Sequence, residues 1–275
     1  MPIIIAKPRQ TNRLFDSRLL QLLIMGSLLL FGVAYRDFSL QAPQIVLTFS
    51  AGMISQAVFL RLFKQPQANF LSCLISCLGL CLLLRSNHLW VHPLMACLMI
   101  SSKFLIRPSG RHLFNPANLG VILGISLCPN TWITSGQWGA DLSTALWLIA
   151  GGFLVARNAY RLDITAYFLG FYSLIFISIR ILYYGYDVSV YLHQFQNGTL
   201  LLFAFFMISD PMTSPQHKLG RLIHALLVAS IAYFWQYYLY WHQGIIWGLF
   251  IATFLVPFWN KILPAPVYQW NSRHA

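Results

Sequence analysis

Acidic residues are almost absent from this chain of 275 residues, which has six aspartates and no glutamate. Charged side chains of either sign make up only 9% of the chain, whereas 58% of its side chains are hydrophobic. A soluble domain covers its surface with about 25% charged residues. The composition therefore excludes a separate soluble nucleotide-binding, Fe–S-binding or protease module, and it indicates a protein embedded in a lipid bilayer.

Apolar segments recur along the whole chain, bounded by charges or turn residues. One crossing of the bilayer core needs about 20 apolar residues. The sequence therefore predicts an all-α polytopic membrane protein of about ten transmembrane helices. It divides into a basic N-terminal segment at 1–18, a single transmembrane domain at 19–262 and a tail at 263–275. The predicted spans are 19–35, 44–62, 69–84, 89–105, 117–133, 142–157, 163–183, 190–209, 220–241 and 244–260.

The net charge of +12 is unevenly distributed between the two sides that ten spans define. Of the 18 Lys and Arg residues, only Arg36, Arg85 and Arg180 fall on one side, and the remainder fall on the side of both termini. Cytoplasmic connections of membrane proteins carry such an excess. We therefore expect the cell (inner) membrane, with the N- and C-termini cytoplasmic and the first span retained as an anchor. This orientation explains the net positive charge, so we expect no nucleic acid partner.

Two of the predicted spans are interrupted. The fifth carries Gly120, Gly124 and Pro129, and the eighth has Asn197 and Gly198 in its middle. Broken helices are tolerated inside a membrane where they line a cavity or face other protein. Five segments in each half are also consistent with a five-plus-five inverted repeat, an expectation that rests on counting alone.

Cysteine and histidine offer alternatives that the sequence leaves open. Cys73, Cys77 and Cys81 form a stripe on one helix face, which suits either a thiolate metal site shared with a partner or close helix packing by small residues. We favour packing and predict no metal site. His88 and His92 share a face, but no other span offers a matching histidine, so a haem site is disfavoured.

Asp210 differs from the other acids because it ends an apolar run, LLLFAFFMIS, at the C-terminal end of a helix. The helix dipole disfavours a carboxylate there. One hypothesis is a stop for a cation or proton, or a partner for Arg111, on an ion path. The other is a solvated Asp-Pro turn at the membrane surface.

Two strings extend the prediction beyond topology. GRHLFNPANLG (110–120) precedes the fifth span, and MISDPMTSP (207–215) closes the eighth. Together with FLVPF (254–258) in the last span, they resemble the signatures of the RnfD/NqrB family. That family comprises membrane subunits of the Rnf complex and of the sodium-translocating NADH:quinone reductase.

The resemblance implies a subunit of a redox-driven ion pump that contributes an ion path through Asp210 and Arg111. It also implies a non-covalent site for FMN or riboflavin, for which the matching motif positions are Asn115, Pro116, Asn118 and Thr213. The partners implied are other membrane and redox subunits of a complex, and quinone. We assign no catalytic residue to this chain by itself.

The sequence departs from the family at the loop that carries covalent FMN. Family members attach FMN to a threonine in an SGAT-type motif before the sixth span. The corresponding loop, 128–146, contains Thr131, Thr134 and Thr144, none of them in such a motif. We therefore expect no covalent FMN and assign no attachment site.

Two other functions remain open. A stand-alone transporter or channel of the same fold suits the broken spans and the missing SGAT motif. A scaffold or assembly factor without transport of its own is the third hypothesis. Cofactor content, ion flux and co-purifying partners distinguish the three.

Overall fold

The computed structural model describes residues 16–36, 38–65, 70–134, 142–241 and 243–268. These residues are mostly helical, with one two-stranded antiparallel sheet. The strands are β1 (Leu84–Ser86) and β2 (Thr131–Ile133), paired with Arg85 opposite Trp132. The helices are α1 (Ser17–Tyr35), α2 (Ala42–Leu62), α3 (Leu71–Leu83), α4 (Val91–Leu105), α5 (Pro116–Leu127), α6 (Leu142–Asn158), α7 (Leu162–Phe176), α8 (Val188–Phe195), α9 (Gly198–Leu202), α10 (Lys218–Tyr237), α11 (Gly244–Thr253) and α12 (Val256–Ile262).

Three short segments complete the helical structure. A 3₁₀ turn, Pro108–Gly110, lies between α4 and α5. Helix α7 continues through the π-helical turns Ile177–Tyr183, and α9 continues through the π-helical turns Phe203–Met207. Wide π turns inside helices frequently occur at functional sites, and the second of these ends three residues before Asp210.

All ten predicted segments contain helix, but they differ in length. Four helices of the described residues are long and apolar enough to cross a membrane: α1, α2, α10, and α7 with its π turns. Helices α11 and α12, bent by 46° at their junction, make a fifth if they form one span. Helices α3, α4 and α5, and α9 with its π turns, are shorter apolar helices. The described residues are thus mostly helical and include four or five helices of spanning length.

The interruption predicted in the eighth segment lies at Asn197. Helix α8 ends at Phe195, and the Asn197 side chain accepts a hydrogen bond of 2.9 Å from the backbone N–H of Thr199, which caps α9. In the fifth segment, α5 ends at Leu127 after 12 residues, and the chain continues into β2. Short helices therefore occupy both segments in which broken spans were predicted, α5 in the fifth and α8 and α9 in the eighth.

Small residues allow neighbouring helices to approach closely. A Cβ atom at Gly52 of α2 would lie 2.5 Å from Cys77 Sγ of α3, so only glycine fits there. The Cys77 thiol also lies 3.7 Å from the carbonyl oxygen of Thr48. Cys73, Cys77 and Cys81 are all buried. The cysteine stripe therefore packs α3 against α2, which is the favoured interpretation of its small residues.

Candidate ion site at two helix ends

A cavity of about 60 Å³ lies where α5 begins and where the π turns after α9 end. A water molecule needs about 10–15 Å³ by the same measure, so the cavity has room for about four waters or a partly hydrated small cation. Residues of α1, α3, α6 and both motif strings line it. Its polar lining residues are Ser17, Arg18, Gln21, Ser72, Ser76, His112, Asn115, Ser209 and Asp210.

Asn115 begins α5 and reaches the cavity. Its side-chain oxygen accepts a hydrogen bond of 3.2 Å from the backbone N–H of Asn118, which caps the helix. Pro116 follows in the first turn, where the missing N–H of proline costs nothing. The remaining amide group of Asn115 donates to Asp210 Oδ2 at 3.3 Å. One side chain thus both starts α5 and binds the carboxylate.

Asp210 ends the helical segment that begins at Gly198. Its Oδ1 accepts a hydrogen bond of 2.9 Å from the backbone N–H of Met212, and its main-chain carbonyl accepts from Thr213 and Ser214. The Asp-Pro turn therefore exists, and the half-buried carboxylate also lines the cavity. Because the N-terminus of α5 carries the positive end of its dipole, it offsets the unfavourable helix end on which Asp210 lies.

Arg111 reaches the same turn from the opposite side. Its Nη2 donates to the carbonyl oxygens of Pro211, at 2.7 Å, and of Met212. Within the described residues, Asp210 forms no ion pair with Arg111. The guanidinium instead binds the main chain that follows Asp210 and holds the turn in place.

The remaining predicted site residues lie at different places around α5. Pro116 lines the cavity beside Asn115. Asn118 is buried and donates a hydrogen bond of 3.0 Å to the carbonyl oxygen of Ile246, which ties α5 to α11. Thr213 is buried behind the turn, where it lines a smaller depression with Arg111. The structure thus brings Asn115, Pro116 and Asp210 together at one cavity.

His112 lines the cavity but was not predicted, although it lies within the first motif string. Its Nδ1 lies 3.0 Å from the carbonyl oxygen of Phe114, which assigns the proton to Nδ1 and leaves Nε2 as an acceptor. Burial lowers the pKa of His112, outweighing the opposing effect of Asp210. The ring is therefore neutral at pH 7.

Two cations near the cavity have polar partners. Arg18, at the start of α1, forms an ion pair of 2.7 Å with Asp16. Lys103 donates a hydrogen bond of 3.2 Å to the Oγ of Ser72, which lines the cavity. Neither was predicted, because nothing in the sequence indicates that α1, α3 and α4 meet at the motif strings.

The cavity does not fit the ring system of a flavin. Pockets for ligands of cofactor size measure about 300–1,000 Å³, several times the 60 Å³ found here. The side-chain amides of Asn115 and Asn118 are also engaged within the protein. A flavin therefore needs a site other than this cavity.

The threonines of the loop before α6 have partners as well. Thr134 is buried and donates to the carbonyl oxygen of Leu82 at 2.9 Å. Thr144, which the structure places in the first turn of α6 and not in the loop, is buried and accepts a hydrogen bond of 3.3 Å from Arg36. Thr131 is hydrogen-bonded to Ser86 at 3.3 Å. Residues 135–141 of this loop lie outside the described residues.

The long apolar helices of the described residues define a helical membrane protein, and the polar cavity lies between the ends of two of its shorter helices. The model of the NQR2, RnfD, RnfE family matches residues 130–269, and the chain belongs to that family. The match includes the Asp210 string and starts after the Asn115 string. It confirms the family that the two strings predicted.

A curated relative supports the same assignment. The chain is 31% identical over 72 residues to a subunit of the ion-translocating oxidoreductase complex of Tolumonas auensis. The aligned part is 26% of this chain and 21% of that relative. The chain therefore spans about a fifth of the length of the relative it matches.

Proposed function

We propose that this chain is a membrane subunit of an ion-translocating oxidoreductase complex, in which the Asp210 cavity is a station on the path of a cation. The observation that carries the proposal is the hydrogen bond of 3.3 Å between Asn115 and Asp210. It holds a carboxylate at a small cavity between the ends of two short helices. Family membership and the name of the curated relative support the proposal.

The chemistry of the cavity suits a small cation or a proton. Hard cations such as Na⁺ are bound by carboxylate and hydroxyl oxygens. The neutral His112 ring adds a nitrogen that accepts a proton or a hydrogen bond. The Asn115 amide stabilises the ionised carboxylate with a hydrogen bond. A cation or proton that reaches Asp210 stabilises the carboxylate in place of part of this hydrogen bond. Binding and release therefore need only local rearrangement of side chains and water.

The finer topology is part of the same proposal. We place ten crossings in the inner membrane with both termini cytoplasmic, arranged as a five-plus-five inverted repeat. The ten helical segments and the predicted distribution of Lys and Arg support this arrangement. Discontinuous helices near the middle of such repeats form ion sites in many transporters, and α5 and α9 are the short helices that meet here.

The proposed partners are the other membrane and redox subunits of the complex, and quinone. Non-covalent FMN or riboflavin remains a proposal, and we place it outside the Asp210 cavity. A tagged chain purified from its own membranes in mild detergent tests this part. Co-purifying redox subunits together with flavin absorption are the expected result, and a single polypeptide without flavin contradicts it.

A stand-alone transporter of the same fold is the second candidate, because the Asp210 cavity lies between helix ends and is too small for a cofactor. Reconstituted liposomes distinguish the two. Cation flux through the chain alone, lost in Asp210→Asn, favours the transporter. Flux that requires partner subunits and a redox substrate favours the complex.

A further inference from the structure

A second pocket, of about 480 Å³, opens where α7 and α10 begin. We call it the basic pocket, and its charged lining residues are Arg157, Arg161, Asp163, Lys218 and Arg221. Among the described residues that line it, Asp163 is the only acid, against four cations. It shares no lining residue with the Asp210 cavity, so it does not belong to the ion site.

The inner wall of the basic pocket is made by two buried arginines beside one carboxylate. Arg221 Nε and Nη2 donate to Asp163 Oδ2 at 2.9 and 2.6 Å. Arg161 is only 5% exposed, as is Arg221. Arg161 donates hydrogen bonds to uncharged oxygens, namely those of Ser214 and Gln216 at 3.1 and 3.2 Å and a main-chain carbonyl.

The inner wall therefore keeps a net positive charge. Burial, and the neighbouring Arg221, lower the pKa of Arg161 to about 10, so that the guanidinium is still charged at neutral pH. A buried charge of this kind is favourable when an anion binds beside it. The two exposed cations, Arg157 and Lys218, stand at the rim.

The position of the basic pocket indicates the source of the anion. Both α10 and α7 with its π turns are of spanning length, and both start at this pocket. The pocket therefore lies at the level where apolar helices enter the membrane, which is the level of lipid headgroups. The positive ends of both helix dipoles point toward it. Basic pockets between transmembrane helices bind anionic headgroups.

We propose that the basic pocket binds a phosphate group, and that an anionic phospholipid headgroup supplies it. Arginine suits this ligand because its planar guanidinium donates two parallel hydrogen bonds to phosphate oxygens. The open volume accommodates a headgroup at the end of acyl chains that lie along α7 and α10.

The test measures lipid binding to the purified full-length chain by native mass spectrometry. The probes are phosphatidylglycerol and phosphatidylcholine with the same acyl chains, each with and without inorganic phosphate. The variant is Arg157→Gln with Lys218→Gln, because both side chains are exposed and their loss leaves the buried Arg161, Asp163 and Arg221 intact. The matched control is Arg61→Gln with Lys64→Gln, which removes two exposed cations elsewhere.

Each charge near a headgroup is worth about a factor of five in affinity, so the double variant is expected to bind phosphatidylglycerol about 30-fold more weakly. The native chain and the control variant should both bind phosphatidylglycerol more tightly than phosphatidylcholine, and by the same factor. Equal binding of the two lipids, or an equal loss in the control, overturns the proposal. Displacement of the lipid by inorganic phosphate at similar concentration overturns the lipid as the source. None of these outcomes depends on ion translocation at Asp210.

Discussion

Asn115 and Asp210 lie 95 positions apart in the sequence, yet the amide of one donates to the carboxylate of the other at 3.3 Å. The contact joins the N-terminus of α5 to the end of the helical segment that starts with α9. It also joins the two strings that resemble the family signatures. The strings are therefore two halves of one structural site, in which a helix start compensates a carboxylate at a helix end.

The first prediction concerns the charge balance of this pair. In Asn115→Asp the new side chain still caps α5, because aspartate is as good an N-cap as asparagine. It also places a second carboxylate beside Asp210, which raises the proton affinity of the folded pair. We expect a stability loss of about 1–2 kcal/mol at neutral pH that shrinks as the pH falls and one carboxyl becomes protonated. Thermal unfolding in detergent at several pH values measures it.

The exchanged variant, Asn115→Asp with Asp210→Asn, is the control for that prediction. It keeps one carboxylate and one amide in the cavity, so it should recover most of the lost stability. If it is no more stable than Asn115→Asp alone, the two side chains do not interact as described.

The second prediction concerns the packing of α2 on α3. Gly52→Ala places a methyl group against Cys77 Sγ, and overpacking of this kind costs about 1–3 kcal/mol. Adding Cys77→Ala removes the sulfur and should restore stability. A double-mutant cycle of unfolding midpoints measures the coupling. Equal destabilisation with and without Cys77→Ala would show that the helices do not meet at this pair.

The third prediction is a pH dependence that arises from His112. Because burial lowers the pKa of this ring in the folded chain, the unfolded chain binds more protons below its ordinary pKa near 6.5. The stability of the fold therefore decreases as the pH falls below about 6.5. His112→Asn should reduce the difference in Tm between pH 7.5 and pH 5.5. An unchanged difference in His112→Asn contradicts the buried neutral ring.

The fourth prediction separates stability from anion binding at the basic pocket. Asp163→Asn removes the carboxylate that offsets the charges of Arg161 and Arg221, and because Asp163 is only partly buried the fold should lose about 1–3 kcal/mol of stability. The same change makes the pocket more positive, so phosphatidylglycerol should stabilise this variant more than it stabilises the native chain. The Tm without lipid measures the first effect, and the shift of Tm on lipid addition measures the second. A smaller lipid-induced shift in Asp163→Asn than in the native chain contradicts the assignment.

The sequence could predict the helices and the breaks because both depend on local signals. Apolar runs mark the helices, and the Asn-Gly pair at 197–198 marks a start that the Asn197 side chain then caps. The lengths of α3 and α5 could not be predicted. Leu84 and Ile133 continue apolar runs but lie in strands, and a short apolar run does not distinguish helix from strand.

The composition of the cavity was only partly predictable. Asn115, Pro116 and Asp210 were found because their strings are distinctive. Ser17 of α1 and Ser72 of α3 meet them only through helix packing, for which an isolated serine gives no signal. The hydrogen-bond partner of Arg111 could not be predicted from the sequence either, because its long side chain can reach both the Asp210 carboxylate and a nearby main-chain carbonyl.

Cation transport at Asp210 is the central claim, and redox-driven cation uptake into sealed membrane vesicles that contain the assembled complex measures it most directly. Asp210→Asn keeps the hydrogen-bonding shape but removes the charge, and we predict that it lowers uptake about tenfold or more. Asp187→Asn is the matched control, since this exposed residue only caps α8 and asparagine caps equally well. Native uptake rates in Asp210→Asn, in vesicles where the complex is fully assembled, would contradict the claim.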